Sequence, residues 1–256
     1  MARHNGRDPR MTPEELAATP LPADTVGLLE GLSTTRAIRR YLDEPVPEDI
    51  LRAILFTATR APTGSNRQQF RFLTLTNGPK AHAAKQLIAS AAQQVWALKQ
   101  DNDGYASGSG ALENSPKARM AATMQHYVDH FASAPVLILP CLIRYRPPSS
   151  AEGSSVYPAC QNILLAARAL GYGGVLTGFQ GLVDQELRQL LGIPDDVFIS
   201  STITIGKPAG HHGPVRRRPI GELVFEDEWG HPAPWAVDPP DTHHTAAGPK
   251  NSTPNY

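Results

Sequence analysis

APTGSNRQQFRF, residues Ala61–Phe72, changes character at its midpoint. Its first half carries a proline, a glycine and small or amide side chains, residue types that supply turn conformations. Its second half opens FRFLTLT, residues 70–76, whose alternation and aromatic content predict a strand. Upstream, Glu48 to Thr59 has helical spacing. Ile50, Ile54 and Ala58 share one face, Leu51 and Leu55 lie beside it, and Glu48 and Asp49 sit in the first turn, where acids favour the helix dipole. The stretch is therefore a helix-to-strand connection. It holds no obvious nucleophile, acid or metal ligand, and its amide and hydroxyl groups suit holding a polar, planar molecule.

Working outward, Pro79–Lys99 reads as a helix and residues 101–116 as a Gly/Ser/Asn-rich loop of the length used for lids. Lys117–Phe131 is again helical. APVLILPCLI, residues 134–143, is a continuous apolar run and predicts a central strand buried on both faces, with Pro140 marking a bulge or strand end. Val156–Leu170 is apolar almost all round and predicts a core helix capped by Gly171. A short strand at GGVLTGF (173–179), an amphipathic helix over Asp184–Leu191 and one strand over DVFISSTITIG (196–206) complete the pattern. Near the N-terminus VGLLEGL (26–32) is helical, with Val26, Leu29 and Leu32 on one side. No repeat or composition shift divides the chain. The expected organisation is one α+β domain over 25–228, a loose arm over 1–24 with a short helix at Pro13–Ala18, and a Pro-rich tail over 229–256.

The chain has 256 residues, and its 24 basic and 24 acidic residues cancel, so no global field draws it to nucleic acid or a membrane surface. No apolar run is long enough to span a bilayer, and no secretory signal pattern opens the sequence. Cys141 and Cys160 sit in apolar segments as buried free thiols, which suits a reducing compartment, and the expected location is cytoplasmic.

Locally the charge is clustered. Arg36 and Arg39 in TRAIRR are three apart and point the same way in a helical turn, which suits a phosphate dianion but equally a solvated face. Arg216, Arg217 and Arg218 form a second cluster. His211–His212 and the pair His126 and His130 lack a third ligand at metal spacing, so no metal site is expected. GxSxG, GxGxxG and P-loop patterns are all missing. The glycines around residues 171–178 cap a helix at Gly171 and, over Val175–Gly178, allow close approach of backbone to a flat ligand.

Taken together, TTRAIRRY (34–41), PVPEDILRAILFTATRAPTGSNRQQFRF (45–72), QNILLAARALGYGG with VLTGF (161–179), and ITIGKPAG with RRRPIGEL (203–223) resemble, in that order, the FMN-dependent nitroreductase family. The resemblance covers roughly residues 30–226. It implies a three-layer α+β fold, a central mixed but mainly antiparallel sheet flanked by helices, and a homodimer with the flavin at the interface. It implies that Arg36, Ala37, Arg39, Arg216 and Arg218 hold the FMN phosphate. Pro62, Thr63, Gly64, Asn66 and Gln68 would line the isoalloxazine and ribityl chain, with Leu176, Thr177 and Gly178 at the other edge of the ring. The chain departs from the family pattern at Thr35, Ala37 and Gln69–Phe70, which stand where arginine, serine and Pro-Trp are usual.

The activity so implied is ping-pong hydride transfer from NADH or NADPH through FMN to a nitroaromatic, quinone or similar small molecule. Tyr127 and Phe131 are the expected substrate-pocket residues. A deazaflavin in place of FMN, a deiodinase-like or flavin-destructase-like specialist, and a non-enzymatic phosphate- or nucleotide-binding module built on the arginine clusters are the competing readings.

Overall fold

The computed structural model describes residues 11–105 and 107–245. Residues 1–10 of the expected arm, Ala106 of the expected loop and 246–256 of the expected tail lie outside it. Helix α1 (Pro13–Ala18) opens with a capping box between Thr12 and Glu15, and the Arg52 guanidinium donates to the carbonyls of Leu16 and Thr19, tying the arm to the domain. Helices α2 (Leu28–Thr34) and α3 (Glu48–Ala58) precede strand β1 (Phe70–Leu75). Then come α4 (Pro79–Asn102), α5 (Pro116–Asp129), β2 (Val136–Ile143), α6 (Tyr157–Ala169), β3 (Gly173–Thr177), α7 (Asp184–Leu191), β4 (Val197–Ile199) and β5 (Thr202–Gly206).

The strands form one sheet in the order β1-β2-β5-β3, with β4 beside β2 in line with β5, and all these pairs are antiparallel. The expected single strand over 196–206 is two, split at Ser200–Ser201. Pro140 explains the split. Ile143 N–H donates to Gln69 O, so odd-numbered residues of β2 bond to β1 and even-numbered ones face the other way. Pro140, with no N–H, therefore faces the gap between β4 and β5, and its carbonyl accepts both Ser200 N–H and Ser200 Oγ–H at 2.9 and 2.8 Å. A proline sits in a central strand because the partner changes beside it.

Alternation along the strands separates two cores. Val136, Ile138, Leu142, Ile203 and Ile205 pack against α3 and α6, and Leu137, Leu139, Cys141 and Val175 pack against α4 and α5. The result is the three-layer α+β fold. Helix α6 ends with Gly171 at φ +80° and Tyr172 N–H on Ala167 O, the glycine stop expected from the sequence. Helix α2 departs from expectation: Gly31 is its buried residue, while Leu28 and Leu29 are 70 and 80 % exposed. The beginning of the expected tail folds back, with Phe225 bridging Pro232 and Ala233 and Ala236 buried. Among the described residues, no helix is long and apolar enough to cross a membrane.

Candidate functional site

The connection between α3 and β1 is strained where the sequence changes character. Ser65, Asn66 and Gln68 have φ of 52, 51 and 52°, a left-handed conformation that side-chain-bearing residues adopt at a cost of about 1–3 kcal/mol each. The shape is held from within. Gln68 N–H donates to Thr63 Oγ1 at 3.0 Å, Asn66 N–H to Thr63 O at 3.0 Å, and Gln68 Nε2 to Asn66 Oδ1 at 3.2 Å. It is also held from the turn before α6, because Gly64 N–H donates to Ser155 Oγ at 3.2 Å. Thr63 is partly buried, and Pro62, Gly64, Asn66 and Gln68 are exposed. Thr63 and Gln68 thus spend part of their bonding capacity on the loop itself, leaving an outward rim of amides.

The arginine run lies along the edge of β3. Ile38 N–H donates to Gly174 O, and Gly173 and Gly174 are the close-approach glycines: a Cβ on Gly173 would stand 2.4 Å from Ile38 Cγ1, and one on Gly174 2.5 Å from Thr204 O. Gly178 is different, since no atom lies within 4 Å of where its Cβ would be. The backbone at Thr177–Gly178 therefore faces open space, beside Leu176 at 39 % exposure.

The early and late basic clusters are brought side by side. Gly213 N–H donates to Thr34 O and Val215 N–H to Ser33 O. The Arg36 guanidinium is spent on Pro214 O, at 3.2 Å from Nε and 2.9 Å from Nη2. Arg218 is engaged by Glu222, with Nε at 2.8 Å and Nη2 at 2.5 Å from the carboxylate. Arg216 is exposed and makes no ion pair among the described residues, and Ala37 is exposed beside Arg36. Arg39 is partly buried, and its Nε is a buried donor with no partner among the described residues.

His212 is a participant the sequence did not single out for this role. Arg36 N–H donates to its Nδ1 at 3.3 Å, and its Nε2 lies 3.0 Å from Tyr172 O. Both bonds are satisfied by the neutral tautomer with the proton on Nε2. Burial holds the His212 pKa below its usual value, more than the carbonyl of Tyr172 raises it, and Arg168 and Arg36 push the same way as burial.

Tyr127 and Phe131 are not pocket residues in this chain. They are 2 and 0 % exposed and pack edge to face with each other, with Phe179 nearby. The helical repeat puts both on the inward face of the α5 region, where the sheet covers them. Tyr127 nonetheless belongs to a polar chain: its hydroxyl is 2.9 Å from Thr204 Oγ1, which is 2.8 Å from the Tyr41 hydroxyl, which donates to Ile38 O at 2.7 Å. Burial raises both phenol pKa values, so both stay protonated.

His126 and His130 stack at 4.1 Å, and no cluster of three or more His, Cys, Asp or Glu among the described residues is arranged to hold a metal.

The sequence profile of the nitroreductase family matches residues 32–207, more than half of the chain. The chain belongs to the nitroreductase family. A Methanothermobacter thermautotrophicus protein provisionally named NADH dehydrogenase/NAD(P)H nitroreductase is 29 % identical over 191 residues, 73 % of this chain and 80 % of that one. A Thermus thermophilus NADH dehydrogenase is 27 % identical over 197 residues, 74 % of this chain and 91 % of that one. Among solved structures, a provisionally named nitroreductase from Desulfovibrio desulfuricans in complex with FMN has a TM-score of 0.56 and 27 % identity, covering 80 % of this chain and 99 % of that one. In the family frame, the loop over 61–69 and the arginine run over 36–39 occupy different ends of one sheet. The loop leads into β1 beside the end of β2, whereas Ile38 and Tyr41 bond where β3 starts and β5 finishes.

Proposed function

We infer that this nitroreductase-family chain is an FMN-dependent oxidoreductase. It takes hydride from NADH or NADPH and delivers it to an electron-poor small molecule such as a nitroaromatic or a quinone. The two substrates use one cavity in turn. The observation that carries the reading is the run of left-handed residues Ser65, Asn66 and Gln68, held under strain on the family's own motif. The FMN complex of the Desulfovibrio relative supports the choice of cofactor.

The residues fit such a group. Arg39 offers a buried Nε, unpartnered among the described residues, to a phosphate oxygen, with Arg216 free to join it, Ala37 presenting backbone close by and Arg36 exchanging Pro214 O for phosphate. Arg218 joins the clamp by exchanging Glu222 for phosphate. The open face of Leu176, Thr177 and Gly178 takes the edge of a flat ring with backbone N–H groups, which stabilise negative charge developing there. Pro62, Thr63, Gly64, Asn66 and Gln68 contribute the amide rim. Bound FMN supplies the hydride chemistry, so the chain needs no acid or base of its own. Thr177 is positioned by β5, with its hydroxyl 3.5 Å from Thr202 O.

A second copy of the chain completes the site. Two features support this: the loop and the arginine run lie at different ends of the sheet, and an apolar groove of about 360 Å³ runs between α2, α3 and α6 beside exposed Leu28.

The test is identification of the chromophore released from purified protein by denaturation, with FMN expected. Double-reciprocal plots for coenzyme at several quinone concentrations should be parallel. A protein that stays colourless after incubation with FMN and desalting would sink the reading.

A further inference from the structure

β2 continues into RYRPP, residues 144–148. Arg144 stays in the ladder, its N–H on Asp196 O, and its guanidinium is neutralised by Glu152 through two bonds of 2.8 and 2.7 Å. The next arginine has no such partner. Arg146 lies with its guanidinium carbon 5.2 Å from the centre of the Tyr145 ring, and Arg67, from the strained loop, lies 4.5 Å from the same ring. Neither makes an ion pair among the described residues. Tyr145 is 51 % exposed.

Two like charges held against one aromatic ring are short of an anion. The arrangement is also fixed in place. Arg67 is flanked by left-handed Asn66 and Gln68, and Arg146 precedes two prolines that restrict its backbone to extended conformations. Behind them lies a cavity of about 20 Å³, lined by Gln69, Arg144, Tyr145, Arg146, Glu152 and Ser155. Gln69 Oε1 is buried there without a hydrogen-bond partner among the described residues. The cavity has room for a single water and none for a base, so a ligand lies over Tyr145 at its mouth and meets Gln69 Oε1 only through a water between them.

We propose that Arg67, Tyr145 and Arg146 bind the 2′-phosphorylated adenosine of NADPH and select it over NADH. The inference rests on the oxidoreductase reading for its choice of ligand. Paired guanidiniums match a phosphate dianion in planar forks, and the Tyr145 ring and guanidinium planes give a purine a stacking surface. The site is part of the loop that lines the flavin, so a dinucleotide reaching from one to the other joins the two. The adenosine end differs between the coenzymes by one phosphate, and that phosphate is what two unpaired arginines distinguish.

The experiment titrates the flavin-loaded protein with 2′,5′-ADP and with 5′-AMP, and measures kcat and KM for both coenzymes in the wild type, Arg146→Gln and Arg67→Gln. The expected result is 2′,5′-ADP binding at least tenfold tighter than 5′-AMP. Arg146→Gln should raise KM for NADPH at least tenfold, with kcat and the NADH constants within twofold of wild type. Arg67→Gln should abolish the preference for 2′,5′-ADP. Equal binding of the two nucleotides, or parallel loss with NADPH and NADH, overturns the proposal. Selective 2′,5′-ADP binding by a protein that oxidises neither coenzyme supports the site and defeats the oxidoreductase reading. An active reductase indifferent to the 2′-phosphate defeats the site alone.

Discussion

On the α3–α6 side of the sheet, Ile54, Ile138, Ile163, Ile203 and Ile205 meet as aliphatic groups, each 0 % exposed. On the α4–α5 side, Tyr127, Thr202, Thr204 and Lys85 are buried among the apolar residues at 2, 0, 0 and 3 % exposure. The same strands make both faces, so the difference comes from which alternate positions carry polar groups. The aliphatic face is a source of stability. The polar face fixes directions, because each of its groups has a named partner: Lys85 Nζ donates to the carbonyls of Thr76, Ala134 and Pro135 at 2.9, 2.8 and 3.2 Å, and Thr202 Oγ1 donates to Gln180 Oε1 at 2.9 Å. Hydrophobic burial is non-directional, whereas a buried hydrogen bond works only at one geometry. The segments proposed to face the cofactor, at Arg39 and Thr177, are tied to the second face.

The comparison breaks first under a cavity. Ile163→Ala should cost about 2–5 kcal/mol in urea unfolding, because α6 cannot collapse onto the sheet between α3 and β5. A loss under 1 kcal/mol would mean that the aliphatic face is loosely packed. Lys85→Met should cost about 1–3 kcal/mol, as three carbonyls lose their shared donor. A stability unchanged by that substitution would show that the ammonium's desolvation cancels its bonds.

Tyr127→Phe is smaller, about 0.5–1.5 kcal/mol, because Thr204 Oγ1 keeps the Tyr41 hydroxyl at 2.8 Å. Its double-mutant cycle with Thr204→Val should show positive coupling, and strict additivity would remove Tyr127 from the polar chain.

The smallest effect is that of pH. His212 has its folded pKa lowered below the unfolded value of about 6.5. The unfolded chain therefore takes up the proton first. The stabilising contribution is full above about pH 6.5 and is lost as pH falls through the lowered value. Melting temperature should drop between pH 7.5 and pH 5, and His212→Gln should flatten that part of the slope.

Much of this was legible in the residues. Amphipathic spacing placed α3, and the continuous apolar run found β2, because burial on both faces leaves no alternation to read. Gly171 announced the end of α6. Ser200–Ser201 was not legible as a break, since VFISSTITI alternates through it and the cause lies 60 residues earlier at Pro140. Tyr127 and Phe131 were misplaced because an aromatic at helical spacing looks the same whether it lines a cavity or fills a core. Leu28 and Leu29 face outward because a single glycine, Gly31, lets α2 approach with its small side. The arginine clusters were legible as a pair, and the structure joins them through Ser33, Thr34, Gly213 and Val215. Which guanidiniums remain free depends on Pro214 and Glu222, partners that no pattern in the sequence marks.

The order of the strands also sets a schedule for synthesis. β2 is the middle of the sheet, yet its second neighbours are β4 and β5, made dozens of residues later. At about 5–20 residues per second, a nascent chain that has finished β2 waits on the order of seconds with that edge bare. The bare edge is hydrophobic and would template a foreign strand. Pro140 interrupts it at mid-length with a missing donor, so a stray strand meets a broken ladder there. The residue that divides β4 from β5 in the finished protein thus also guards the unfinished one.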